Sequence, residues 1–320
     1  VFGFSATFAA YMKSIKDLRI VFFGTPDFAV ASLDAIIKVG ANVVAVVTAP
    51  DKPAGRGRQL QESAMKQYAV SAGLSILQPE KMKSQDFLTQ LSDLAPDLQI
   101  VVAFRMMPEV VWNMPPMGTI NVHASLLPQY RGAAPINHAI INGEKVTGVT
   151  TFKLKHEIDT GDILLQKQVE ILPEDNAGTL HDKLMHAGAT LLVATVNGLA
   201  ADTLQEIPQA ITDVPLRHAP KIFKENTIIN WQLSALQIHN MVRGLSPYPA
   251  AITTLNHKNI KIYSTTHNTE KTDLPVGSFH TDYATFLRFA ATDGWVYITE
   301  LQQEGKKRMN ITEFLRGFRS

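Results

Sequence analysis

Apolar runs of strand length alternate with amphipathic stretches of helical spacing over most of the chain. Residues 18–23, 42–48, 76–78, 98–104, 118–124, 146–154 and 163–171 read as strands. Between them, residues 27–39, 62–72, 85–94, 134–142 and 179–199 read as helices, the first stopped by Gly40. This alternation predicts an α/β domain over residues 12–207 with a parallel, doubly wound sheet. Its first strand ends in Gly24-Thr25-Pro26, where Pro26 suits the first turn of a helix. A nicotinamide-binding turn would carry Gly-x-Gly-x-x-Gly there, so a dinucleotide enzyme is not expected.

The pattern changes after residue 207. Pro208, Pro215 and Pro220 punctuate residues 208–224, which read as a linker. A helix over 235–243 precedes Gly244-Leu245-Ser246-Pro247-Tyr248-Pro249. Short β-like runs follow at 251–255, 258–264, 285–290 and 295–301. Such spacing predicts a small barrel or sandwich over residues 225–320. The fold class is therefore α/β: a Rossmann-like, doubly wound N-terminal domain with a smaller C-terminal β-barrel (OB-like) domain. Residues 1–11 precede Met12-Lys13-Ser14 and carry neither a basic n-region nor an Arg-rich transit pattern. They are expected to be an extension without function.

Composition narrows the chemistry. The chain has 320 residues, 45% apolar and 18% charged, enough for two domains. It has no cysteine, which excludes disulfides, a thiolate nucleophile and cysteine-ligated zinc. No apolar run approaches the ~18 residues of a membrane span. The net charge of +1 is unevenly placed: residues 217–320 hold 13 Lys and Arg against 8 Asp and Glu. A basic C-terminal part hints at an anionic partner. His181 and His186 are too far apart in helical phase to chelate, no His-Glu-x-x-His pattern occurs, and no metal is expected. There is no Gly-x-Ser-x-Gly nucleophile elbow.

Asn121-Val122-His123-Ala124-Ser125-Leu126-Leu127-Pro128 is the stretch that carries chemistry. On a strand running to Ala124, Asn121, His123 and Ser125 share one face. They lie at the carboxyl end, where open α/β sheets bind ligands. An imidazole moves protons near neutral pH, and a carboxamide can hold a developing oxyanion. The set suits acyl-type transfer without a covalent nucleophile. A lone Asn/His pair at a strand end more often satisfies backbone groups, and Asp159-Thr160-Gly161-Asp162 is also good turn chemistry.

Taken together, Asn-x-His, Ser-Leu-Leu-Pro, Arg131-Gly132-Ala133-Ala134-Pro135 and Asp159-Thr160-Gly161-Asp162 resemble the folate-dependent formyltransferases, above all those acting on methionyl-tRNA. The resemblance runs from about Leu18 to near the C-terminus. It implies transfer of the formyl group of 10-formyltetrahydrofolate, a co-substrate, to the α-amine of methionyl-initiator tRNA through a tetrahedral oxyanion. By this likeness Asn121 binds the formyl oxygen and His123 assists the oxyanion and the proton transfers. Asp159 lies beside the histidine, orders water and shapes its protonation. Ser125, Leu126, Leu127 and Pro128 contact folate, largely through the backbone. Phe104, Arg105, Met106 and Met107 line the pterin pocket, where the family often has a longer Tyr-Gly-containing stretch.

The Gly/Pro-rich loop over residues 48–58 carries Lys52, Arg56 and Arg58 and resembles the inserted loop that grips the tRNA acceptor stem. The C-terminal domain is expected to help hold tRNA, and the resemblance implies a cytoplasmic enzyme, expected to be a monomer. Arg131 suits a structural role as well as a substrate contact. Trp231, Tyr248, Trp295 and Tyr297 suit core packing better than base stacking. The same Asn/His/Asp set would serve a nucleotide-amino-sugar formyltransferase or a formyltetrahydrofolate hydrolase. A non-catalytic RNA- or folate-binding module is the alternative of a different class.

Overall fold

The computed structural model describes residues 14–54, 59–209 and 214–318. Residues 1–13, including the expected extension, and Arg56 and Arg58 of the basic loop lie outside the described residues. The chain divides into two compact units that interleave along the sequence. Of the described residues, the first holds 14–54, 59–128, 148–168, 184–209 and 214, and the second holds 129–147, 169–183 and 215–318.

Seven strands form the main sheet: β1 (Ile20–Gly24), β2 (Val43–Val47), β3 (Ile76–Leu77), β4 (Leu98–Val102), β5 (Thr119–His123), β6 (Val146–Lys153) and β7 (Ile163–Glu170). Their order is β7-β6-β5-β4-β1-β2-β3. β1 and β4 are buried along their whole length, as expected for central strands covered on both faces. Val21, Phe23, Val47 and Val101 pack with Phe87 and Leu91 of the helix Gln85–Asp93. The helix Asp27–Lys38 buries Phe28, Ala29, Ser32, Leu33 and Ile36, a single stripe at helical spacing. Ser63 caps the helix Ala64–Ser71 by accepting from the Lys66 backbone N–H at 3.1 Å.

β1 through β5 run parallel, but β5 and β6 pair antiparallel. The sheet is therefore mixed, where the alternation of elements predicts a parallel one. A parallel pair needs a crossover lying on the sheet. Here the helix between β5 and β6, Pro135–Ile141, is grouped with the second unit, and β6 runs against β5. Hydrophobic alternation is the same in both directions and cannot reveal this.

From β1 the chain builds outward through β2 and β3, then crosses to β4 on the other side of β1. That reversal is a topological switch point, and the crevice beyond the carboxyl ends of such strands is where open sheets bind ligands. Residues 103–107 and 124–128 leave β4 and β5 at this edge.

In the second unit β8 (Ala251–Leu255), β9 (Lys258–Asn268), β10 (Phe279–Thr281), β11 (Leu287–Ala290) and β12 (Trp295–Gln303) form an antiparallel half-barrel in the order β8-β9-β12-β11-β10. A short β13 (Met309–Asn310) pairs with β12. Ser234 and Gln237 make a capping box at the start of the helix Ala235–Leu245. That helix packs Ile238, Val242 and Leu245 against Ile260, Ile262, Phe289 and Val296. Trp231 stacks on Phe289 at 4.5 Å, so that ring packs against the core. Part of the predicted linker is also fixed: His218–Ala219 pairs in parallel with Arg131–Gly132. Gly132 has φ +123, and a Cβ there would lie 2.5 Å from the Ala219 carbonyl oxygen, so only glycine fits. Among the described residues no helix is long and apolar enough to cross a membrane.

Candidate active site

β5 puts the chemistry at the edge of the sheet. It pairs with β4 on one side, Val101 opposite Asn121, and with β6 on the other, Phe152 opposite Asn121 and Thr150 opposite His123. Alternation keeps Asn121 and His123 on one face. The strand stops at His123, so Ser125 does not extend that row as the sequence pattern suggests. Beyond His123 the ladder gives way to bonds from the Thr150 side chain, which turn the chain aside.

Asn121 is half-buried, and among the described residues its carboxamide has no hydrogen-bond partner. Its N–H donors are thus free for a bound group. His123 is 7% exposed and meets the edge of Phe152 at 6.5 Å between ring centres. The Asp159 carboxylate, with a side chain 12% exposed, stands 3.9 Å from the His123 Nδ1. That is an ion-pair distance, longer than a hydrogen bond.

Asp159 is held by the turn that contains it. Its φ of +55 is a left-handed conformation uncommon for a residue with a Cβ. The Gln209 carboxamide donates to the carbonyls of Asp159 and Gly161, both at 2.8 Å. The Lys153 N–H donates to the Asp162 carbonyl at 3.0 Å. A Cβ on Gly161 would lie 1.5 Å from the Lys153 carbonyl oxygen, so the turn sits on the end of β6 only because that residue is glycine. Asp162 pairs with Lys155 at 2.7 Å, which leaves Asp159 as the acid facing the imidazole.

The turn of residues 125–128 lies next to this group. Ser125 is fully buried and Leu127 nearly so. The Thr150 hydroxyl donates to the Ser125 carbonyl at 2.6 Å and accepts from the Leu127 N–H at 3.1 Å. The Gln166 carboxamide donates to the Leu127 carbonyl at 2.9 Å. The Leu127-Pro128 peptide is cis.

The four residues expected to line a pterin pocket separate. Phe104 is half-buried and meets Phe23 edge-on at 5.7 Å. Arg105 donates to the carbonyls of Pro79 and Glu80 and lies over the Phe104 ring, so it ties the segment to a neighbouring loop. Met106 is 76% exposed, whereas Met107 packs into the core beside Val21 and Phe23.

At the base of the basic loop Lys52–Ala54 pairs antiparallel with Gln59–Gln61, a two-stranded hairpin stem. Lys52 is exposed. The base of the hairpin is anchored by Asp51, which pairs with Lys66 and accepts from Gln78 at 2.9 Å. The Lys66 ammonium, helped by the Gln78 bond, holds the Asp51 carboxyl below the usual range.

Thr150, Gln166 and Gln209 were not singled out by sequence reasoning. A signal existed for the first: β6 carries Thr147, Thr150 and Thr151 in a strand buried almost throughout. Buried hydroxyls require partners. In the second unit a cavity of about 860 Å³ is lined by Lys145, Arg217, His239, Arg243 and His267 among others, none of them in the group just described. Among the described residues no cluster of His, Cys, Asp or Glu could hold a metal ion.

Comparison with known proteins decides the family. Residues 18–196 match the formyl transferase domain, and residues 221–319 match the formyl transferase C-terminal domain.

The chain belongs to the formyl transferase family.

Within that family the chain is 55% identical over 313 residues to a methionyl-tRNA formyltransferase of Parabacteroides distasonis, covering 95% of this chain and 97% of the relative. It is 51% identical over 310 residues to that of Bacteroides fragilis, covering 95% and 96%. Among solved structures it resembles the sugar 3N-formyl transferase WlaRD, crystallised with dTDP and 5-N-formyl-THF: TM-score 0.66, 20% identity, 91% of this chain and 99% of that one. It also resembles HypX from Aquifex aeolicus in complex with tetrahydrofolic acid: TM-score 0.63, 16% identity, 94% of this chain and 48% of that one. At such identities these two likenesses show the formyl transferase fold alone.

Proposed function

We propose that this formyl transferase moves the formyl group of 10-formyltetrahydrofolate to the α-amino group of methionyl-initiator tRNA. The observation that carries the chemistry is the unpartnered Asn121 carboxamide two residues before His123, with Asp159 3.9 Å from the imidazole. The acceptor is supported by full-length relatives at 51–55% identity whose name is methionyl-tRNA formyltransferase.

Asn121 donates to the formyl oxygen as the amine nitrogen bonds to the formyl carbon and negative charge gathers on that oxygen. Removing one such donor typically costs ~10²–10³ in rate. His123 takes the proton lost by the amine and passes it to the folate nitrogen as the bond between that nitrogen and carbon breaks. Proton transfer by a positioned group contributes ~10²–10⁴. Asp159 offsets the positive charge that develops on the ring and fixes its orientation. The backbone of residues 125–128, with Phe104 and Met106, forms the contact surface for the folate. Lys52, Arg56 and Arg58 contact the phosphates of the tRNA acceptor stem, assisted by the C-terminal unit. Exposed lysine and arginine supply such phosphate contacts without reading sequence.

The test is to incubate the purified protein with 10-formyltetrahydrofolate and methionine-charged initiator tRNA and to measure N-formylmethionyl-tRNA. Formylation that requires the charged tRNA is expected. Tetrahydrofolate release without formylated tRNA, or transfer only to a nucleotide-linked amino sugar, would replace this acceptor with water or a sugar.

A further inference from the structure

We infer that Thr150 and Gln166 are positioning residues for the formyl donor: together they fix the backbone of the turn 125–128 and tie it to the strand that carries His123. The inference rests on the reading that this turn contacts the folate.

The turn lies beyond the end of β5, and its peptide groups are outside the β5 ladder as paired to β4 and β6. Three of those groups are held by two side chains distant in sequence. Thr150 is fully buried on β6, directly opposite His123. Its single hydroxyl proton goes to the Ser125 carbonyl at 2.6 Å. Its lone pairs accept from the Leu127 N–H at 3.1 Å and from the Gln166 amide at 3.0 Å. That uses the full capacity of a hydroxyl group. The Gln166 amide, reaching over from β7, also donates to the Leu127 carbonyl at 2.9 Å. Both backbone polar groups of Leu127 are therefore clamped, and Gln166 also holds the hydroxyl that accepts from the N–H.

Two features separate this from ordinary core packing. First, a buried hydroxyl in a strand costs stability unless bonded, and this one spends every bond on a single turn and the side chain supporting it. Second, Gln166 is exposed and contributes nothing to the apolar core. Its amide bonds serve the turn and Thr150. Because Thr150 also faces His123 across the ladder, one residue sets the spacing between the proton-transfer group and the donor surface. Binding energy is converted to rate only when such spacing is held to a fraction of an ångström.

The experiment is steady-state kinetics of the full-length enzyme with each substrate varied, on Gln166→Ala, Thr150→Val and Thr150→Ser. A lost bond of ordinary strength corresponds to about a threefold to tenfold effect. Gln166→Ala is expected to raise KM for 10-formyltetrahydrofolate by roughly that factor, leaving KM for tRNA, kcat and the melting temperature near wild type. Thr150→Val, which removes all three bonds, is expected to raise donor KM further and to lower kcat as well, and Thr150→Ser to restore both. A Thr150→Val protein that fails to fold leaves Gln166→Ala and Thr150→Ser to decide. In parallel, amide hydrogen exchange at Ser125, Leu126 and Leu127 is followed in the wild type with and without tetrahydrofolate. Protection there together with an unchanged donor KM in Gln166→Ala would overturn the clamp. Absence of protection would overturn the reading that the turn holds folate, and the clamp with it.

Discussion

His123 and His239 are both largely withdrawn from solvent, one at a strand end in the first unit and the other on a helix in the second. Their neighbours differ in charge. His123 has the Asp159 carboxylate 3.9 Å from its Nδ1. His239 faces the His267 ring at 4.8 Å and bonds Thr265 through its Nδ1 at 2.9 Å. Burial, then the charges of His267 and Arg243, push its pKa down to about 4. At neutral pH His239 is therefore a neutral packing group that lines a cavity, whereas His123 has a carboxylate, not a second cation, beside its ring. Burial alone does not distinguish two histidines; the charge of the groups beside each ring does.

The largest effect should separate the two rings. His123→Ala or Asn121→Ala is expected to lower kcat/KM for formyl transfer by at least about a hundredfold. His239→Ala should leave transfer close to wild type. Equal losses at the two histidines, measured on folded protein, would erase the distinction.

Next comes Gly161→Ala, which acts only through the support of Asp159. The added Cβ would lie 1.5 Å from the Lys153 carbonyl oxygen, so the turn must move. Overpacking of this kind costs about 1–3 kcal/mol. Thermal denaturation should show that loss, together with a fall in kcat that Asp159→Asn reproduces without the change in stability.

A smaller effect is expected at the hairpin. Lys52→Ala should weaken tRNA binding and reduce its salt dependence by about one unit of slope. Donor KM should not change, because Lys52 is exposed on a hairpin anchored through Asp51, Lys66 and Gln78. An unchanged salt slope would remove the hairpin from the tRNA interface.

The subtlest effect is a pH dependence of stability in the second unit. The folded His239 pKa, about 4, lies below its ordinary value of 6.5. Between these values the unfolded chain binds more protons than the folded one, so stability rises with pH across the window and is lost as pH falls from about 6.5 towards 4. His239→Gln should flatten that decline in urea denaturation at pH 7 and pH 5. An identical decline in the variant would show that His239 does not carry it.

Much of this was legible in the sequence. The periodic runs located β1, β2, β4, β5 and the helices Asp27–Lys38 and Gln85–Asp93 to within a residue or two at most ends. The motif around Asn121 and His123 and the turn with Asp159 stand out in the sequence because their residue types are rare together, and the structure brings His123 and Asp159 to 3.9 Å. Strand direction at β6 was not readable, since alternation has no polarity. Strand β13 and the helix Ile311–Leu315 are too short to show a period. The supports Thr150, Gln166 and Gln209 escaped because their partners are backbone groups far away in the chain, which a linear pattern does not record. Met107 looks like a pocket residue from its place after β4, yet its neighbours make it core.

Single-turnover formylation of methionine-charged initiator tRNA by wild type and by Asn121→Ala, with matched melting temperatures, addresses the chemistry at the end of β5. Formylmethionyl-tRNA formed by the wild type and slowed by at least about a hundredfold in the variant is the expected result. Equal rates in the two proteins would contradict the role given to this site. A wild type that releases tetrahydrofolate but formylates no tRNA would contradict the acceptor.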